Sequence, residues 1–135
     1  MTDIWFVVHQ KNLWDIDNRL IGFWKKNQCD LIKVGDHVIY YRAGYKKIVG
    51  VFKVVQNGTN LNRNFNDPDI AEKPIFQSKL ELISDNIICN RPTTETGFSF
   101  FEDWRRNRYG GLGKQIFLAK REDLNLILSD PSSVK

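Results

Sequence analysis

The chain has 135 residues, 41% of them hydrophobic and 13% aromatic, with 20 Lys+Arg against 16 Asp+Glu and a formal charge of +4. That suits one domain over residues 1–135 with a core that needs no staples. No stretch approaches the roughly 20 apolar residues of a membrane span. The opening Met1-Thr2-Asp3 also lacks a basic stretch leading into an apolar one, so membrane and secreted classes are set aside.

In chain order, Ile4-Trp5-Phe6-Val7-Val8 is apolar at successive positions and predicts a buried strand, with His9 at its exit. Asn12 is placed to cap a short helix over residues 13–20, with Leu13, Ile16 and Leu20 on one face. Gly22-Phe23-Trp24-Lys25-Lys26 is too short and mixed to assign. If it is extended, an inward Phe23 leaves Trp24 outward. Gly35-Asp36 then marks a turn, and residues 36–42 and 47–55 form a hairpin around Ala43-Gly44-Tyr45-Lys46.

Residues 56–74 are rich in Asn, with Gly58, Asp67 and Pro68, and predict a polar loop. Phe76, Leu80 and Leu82 alternate with polar neighbours as in a half-exposed strand. After a loop over residues 84–97, Ser99-Phe100-Phe101-Glu102 has capping-box spacing for a helix carrying Trp104. Gly110, Gly111 and Gly113 end it. Residues 115–119 are a last buried strand. Glu122 and Asp123 open a closing helix with Leu124, Ile127 and Leu128 on one face. Several short strands with helices confined to the connections make an α+β fold, best arranged as a small mixed β-barrel.

No metal or cofactor is expected, because His9, His37, Cys29 and Cys89 show no paired ligand spacing. Two distant cysteines make no disulfide framework and suit a reducing cytoplasm. Asp30 beside Cys29 raises that thiol's pKa instead of activating it. Gly110-Gly111-Leu112-Gly113-Lys114 lacks Walker spacing and reads as a helix end.

The basic residues say more, and a pI near 9.1 leans toward an anionic partner. Residues 104–121 hold six of them and no acid, and Lys25, Lys26, Arg42, Lys46 and Lys47 form a second set. Rings stand beside these cations: Trp24 before Lys25, Tyr41 before Arg42, Trp104 before Arg105, and Tyr109 after Arg108. Cations that hold phosphates next to rings that stack bases suit single-stranded or flipped-base nucleic acid. Trp5 and Phe117 belong to the core, Trp14 and Trp104 fit core or site equally, and Trp24 and Tyr41 lean to a site.

The order of parts resembles the EVE family of PUA-like barrels, akin to the YTH readers of methylated adenine. The resemblance is carried by Trp5-Phe6-Val7-Val8, by Gly22-Phe23-Trp24-Lys25-Lys26 in the pocket-segment position, and by Val34-Gly35-Asp36-His37-Val38-Ile39-Tyr40-Tyr41. Ile48-Val49-Gly50 and the stretch from Tyr109-Gly110-Gly111-Leu112 to the Glu122-Asp123 helix complete it. The pocket segment is closest to a short, archaeal-type version. Where many members have Lys-x-Glu-Pro, this chain has His9-Gln10-Lys11-Asn12.

The resemblance implies a PUA-like barrel that binds RNA or DNA or reads a modified base, without catalysis. On the residues, Trp24, Tyr41 and Trp104 are the candidate stacking rings, and His9, Gln10 and Asn12 the candidates for the base edge. Lys25, Lys26, Arg42, Arg105, Arg106 and Arg108 are the candidates for phosphates. Two rivals are a small RNA-acting hydrolase with His9 or His37 as general base, and a peptide- or protein-binding module using the aromatics.

Overall fold

A computed structural model describes residues 2–9, 14–15, 19–23, 26–43, 46–59, 76–85, 87, 91–107 and 116–129. Its strands are β1 (Ile4–His9), β2 (Trp14–Asp15), β3 (Leu20–Phe23), β4 (His37–Arg42), β5 (Lys47–Thr59), β6 (Phe76–Ser84) and β7 (Ile116–Ala119). They form one seven-stranded sheet in the order β2-β3-β6-β5-β4-β1-β7. The α-helices among the described residues are short: α1 (Lys26–Leu31), α2 (Phe101–Asn107) and α3 (Arg121–Ile127). β1 pairs with β4 in parallel and the other neighbours pair antiparallel. A parallel pair needs a crossover, and here it carries β2, β3 and α1.

The sheet is covered on both faces, which is why β1 and β4 read as apolar runs and not as alternations. One face carries Ile4, Phe6, Ile39, Tyr41, Ile48, Val51 and Phe117 beneath α2 and α3, with Trp104, Leu124 and Ile127 packed in. The other carries Val7, Val38, Tyr40, Phe52 and Val54 with Ile21 and Phe23 of β3, Leu80 of β6 and Cys29 of α1.

The expected hairpin is present, with an irregularity where Tyr40 pairs with Gly50 and Tyr41 with Ile48. A Cβ at Gly50 would stand 3.0 Å from the Ser84 carbonyl oxygen and 3.1 Å from the Phe52 ring, so glycine permits this close approach of β5 to β6. β5 runs on through Gln56-Asn57-Gly58, where turn-forming residues predict a loop. The Asn57 side chain donates to the Ile32 carbonyl and accepts from the Ser78 hydroxyl, both at 2.5 Å, so its polar end is satisfied by β6 and by the residue that follows α1. The rest of the expected loop, residues 60–74, lies outside the described residues.

Two local expectations are corrected. In place of a helix over residues 13–20, Trp14 and Asp15 pair antiparallel with Ile21 and Leu20. A helix of that length is marginal alone, and β6 supplies the backbone partners of β3 through Ile21↔Ser78 and Phe23↔Phe76. The capping Asn12 lies outside the described residues. Ser99 does not cap α2 through Glu102. Its N–H donates to Asp123 Oδ1 at 2.7 Å and its hydroxyl to Asp123 Oδ2, tying α2 to α3. Of the three residues expected on one face of α3, Leu124 and Ile127 are buried, while Leu128 follows the helix and is 37% exposed.

Gly35 and Asp36 have a structural task. Gly35 takes φ +96°, a left-handed conformation that glycine tolerates best. Asp36 is buried, and its carboxylate accepts the Asp3 N–H, the Trp5 indole N–H and the Lys33 N–H, each at 2.9 Å. Burial alone would push this carboxyl up, but those donors and the neighbouring His37 hold it below its ordinary 3.8. We expect Asp36→Ala to cost about 3 kcal/mol, since it leaves three part-buried donors without their acceptor, measured by urea unfolding at pH 7. Because the folded-state pKa is depressed, the Asp36 contribution is complete above about pH 4 and is lost as pH falls below it. Asp36→Asn should abolish that low-pH loss.

Candidate functional site

β1 and β3 end beside each other. His9 closes β1, Phe23 closes β3, and their rings meet edge to face with centroids 5.6 Å apart. Tyr40 of β4 completes the cluster, its ring 5.3 Å from that of His9 and its hydroxyl 2.7 Å from His9 Nδ1. The parallel register puts Val7 opposite Tyr40 and His9 opposite Arg42. Because side chains alternate, Val7 and His9 share the face on which Tyr40 lies.

His9 is 1% exposed, and its Nε2 has no hydrogen-bond partner among the described residues. Burial first, and the charge of Arg42 second, push its pKa down from 6.5 to about 3, so the ring is neutral at pH 7. A buried polar atom without a partner costs roughly 1–3 kcal/mol. Gln10 follows His9 and Trp24 follows Phe23, each within one peptide, roughly 3.8 Å of chain. Gln10, Asn12, Trp24 and Lys25 lie outside the described residues, and the structure places the two strand ends from which their segments leave. Lys26, exposed at the start of α1, pairs with Asp30 at 2.6 Å.

No family model matches the chain, and no curated protein matches it. Among solved structures, the NMR structure of Rpa0253 from Rhodopseudomonas palustris is similar with TM-score 0.55 and 15% identity, covering 93% of this chain and 90% of that one. The crystal structure of human THYN1 in complex with DNA containing 5-methylcytosine is similar with TM-score 0.51 and 13% identity, covering 92% of this chain and 94% of that one. The likeness spans the curled mixed sheet and its short helices. The fold is PUA-like.

In this PUA-like sheet the expected site residues separate onto two faces. Tyr41 and Trp104, expected as stacking rings, are core residues, 2% and 4% exposed, with ring centroids 5.2 Å apart. Tyr41 follows Tyr40 in an extended strand and therefore faces away from His9. Trp104 packs against Phe6 as well, so α2 covers the face opposite the His9 cluster. Arg105 and Arg106 ride on that helix, exposed, with Arg105 paired to Glu102 at 3.1 Å. Arg108 lies outside the described residues.

Phe23 points inward as expected, and Tyr40 is the residue that sequence reasoning missed. His37 starts β4 as expected. Burial first, then Arg121 and Lys53, lower its pKa against the opposing pull of Asp36. The Cys29 thiol is pushed up chiefly by burial, with Asp30 adding to it and the Ser78 hydrogen bond opposing.

Proposed function

We propose that the chain is a nucleic-acid-binding module that holds one base of RNA or DNA between the ends of β1 and β3. The observation that carries this reading is the His9 cluster: a neutral, buried imidazole with one ring nitrogen unpartnered among the described residues, walled by Phe23 and Tyr40. The segments that leave it bear Gln10 and Asn12 on one side and Trp24 and Lys25 on the other. In the proposed site these segments bring base-edge groups, a stacking ring and cations to the bound nucleotide. A structural neighbour sharing the fold binds DNA containing 5-methylcytosine, which supports the same class of partner here, as does the EVE-like order of motifs. Trp24 stacks on the base, and Lys25, Lys26 and Arg42 meet the adjoining phosphates. Arg105 and Arg106 belong to the other face and stand outside this site.

A hydrolase is the weaker reading. A general base works best with a pKa near the operating pH, whereas His9 is pushed down to about 3 and His37 is lowered too.

Fluorescence anisotropy with short single-stranded oligonucleotides across a salt series tests the function. Affinity should fall steeply as salt rises, because phosphate contacts release counterions. Trp24→Ala should weaken binding by about 1–3 kcal/mol, one lost base stack, with the melting temperature unchanged. Salt-insensitive binding, or a variant that melts early and binds as before, would overturn the reading.

A further inference from the structure

At the end of β4 away from His9, one row of residues crosses the sheet. The strand pairings set Ala119 beside Ile4, Ile4 beside His37, His37 beside Lys53 and Lys53 beside Glu81, with neighbouring strands about 4.8 Å apart. Ile39 and Val51 belong to the face under α2 and α3. Side chains alternate, so His37 and Lys53, each two residues from one of these, share that face. The same face receives α3, whose first residue, Arg121, follows Ala119 by two positions. Two strands and a helix thereby deliver an imidazole, an ammonium and a guanidinium to one place.

The charge there is unbalanced. Lys53 and Arg121 are exposed, and neither lies within ion-pair distance of a carboxylate among the described residues. The His37 ring is half-buried, with Nδ1 turned inward and Nε2 on the outer edge. Burial lowers its pKa first, Arg121 and Lys53 lower it further, and Asp36 opposes them. The Asp36 carboxylate is already engaged by the Asp3, Trp5 and Lys33 N–H groups. Glu81 faces Lys53 from the strand beyond it. An anion seated among the three basic groups relieves their mutual repulsion.

We propose that His37, Lys53 and Arg121 form a phosphate-binding site, in which His37 Nε2–H, the Lys53 ammonium and the Arg121 guanidinium donate to the phosphate oxygens. A free phosphate ion and a nucleic-acid backbone crossing this face offer the same tetrahedral anion. The site lies roughly 16 Å along β4 from the His9 end and does not depend on base binding there.

NMR of the histidine rings in the full chain reads the site directly, since the chain has two histidines and His9→Gln tells them apart. Sodium phosphate, and separately sodium sulfate, whose charge stays fixed near neutral pH, replace sodium chloride at constant ionic strength. Both should raise the His37 pKa by at least about half a unit, an about threefold preference for the protonated ring. Lys53→Ala and Arg121→Ala should each weaken anion binding at least about threefold. Glu81→Gln should strengthen it.

A short single-stranded oligonucleotide without a terminal phosphate separates the two sources. A backbone phosphate in the site moves His37 as well, and Lys53→Ala then flattens the salt slope of oligonucleotide binding by about one. A site for free phosphate leaves His37 unmoved by the oligonucleotide. His37 responding to phosphate, sulfate and the oligonucleotide no more than to chloride would overturn the inference. So would a response that survives Lys53→Ala combined with Arg121→Ala. Failure of Trp24→Ala to weaken oligonucleotide binding would count against the base site alone.

Discussion

Trp104→Ala is expected to cost about 3–5 kcal/mol of stability, the range for emptying a large aromatic side chain from a core, and to leave the oligonucleotide affinity of the folded protein unchanged. Trp104 meets Phe6, Tyr41 and Phe101 edge to face, with ring centroids 5.5, 5.2 and 5.8 Å away. Phe6 in turn stacks on Phe100 at 4.1 Å, so truncation loosens a connected set of rings that holds α2 against β1 and β4. Each such pair contributes about 0.5–1.5 kcal/mol beyond the area it buries. Urea unfolding gives the stability, and anisotropy on the folded fraction gives the affinity. A variant of unchanged stability that binds oligonucleotides poorly would return Trp104 to the site.

The second large effect is acid destabilisation through His9. Its folded-state pKa is about 3 against an ordinary 6.5, so below pH 6.5 the unfolded chain takes up a proton that the folded chain refuses. The His9 contribution is therefore complete above about pH 6.5 and is lost as pH falls toward 3, a change of order 5 kcal/mol in all. His37, also lowered, acts in the window that opens at 6.5, whereas Asp36 acts only below its ordinary 3.8. His9→Gln carries no titrating group and keeps a hydrogen-bonding end. Urea unfolding at pH 7, 5 and 4 should show a much flatter decline for this variant than for the parent chain. Parallel declines would mean that the acid sensitivity comes from elsewhere.

Much of the α+β barrel was legible in the chain. β1, the β4–β5 hairpin, β6, β7 and α3 each carry a local signal: an apolar run, an alternation, a turn pair, or acids at a helix start. The resemblance to EVE-type barrels likewise rests on local motifs, and its Gly35-Asp36 pair proves to be a turn whose carboxylate gathers the Asp3, Trp5 and Lys33 donors. At the site, His9 at the open end of β1 and an inward Phe23 were also legible.

What the sequence could not decide was which face a residue serves. β4 is buried on both sides, so Tyr40 and Tyr41 have the same local credentials and no alternation separates them. Pairing with β1 turns Tyr40 toward His9 and Tyr41 toward Trp104. A cation next to a ring says only that the two are neighbours in the chain, which is why Trp104-Arg105 suggested a binding surface while the fold sends the ring inward and the cation outward. Ser99 met a carboxylate from Asp123, 24 positions away, rather than one three residues on. Residues 20–23 became a strand because β6 offered them an edge, and residues 14–15 pair in turn with that strand. By itself the sequence determined where backbone hydrogen bonds and apolar side chains are locally satisfied. The tertiary structure decided every choice between two locally equal partners, because a contact across the sheet is a property of register and not of composition.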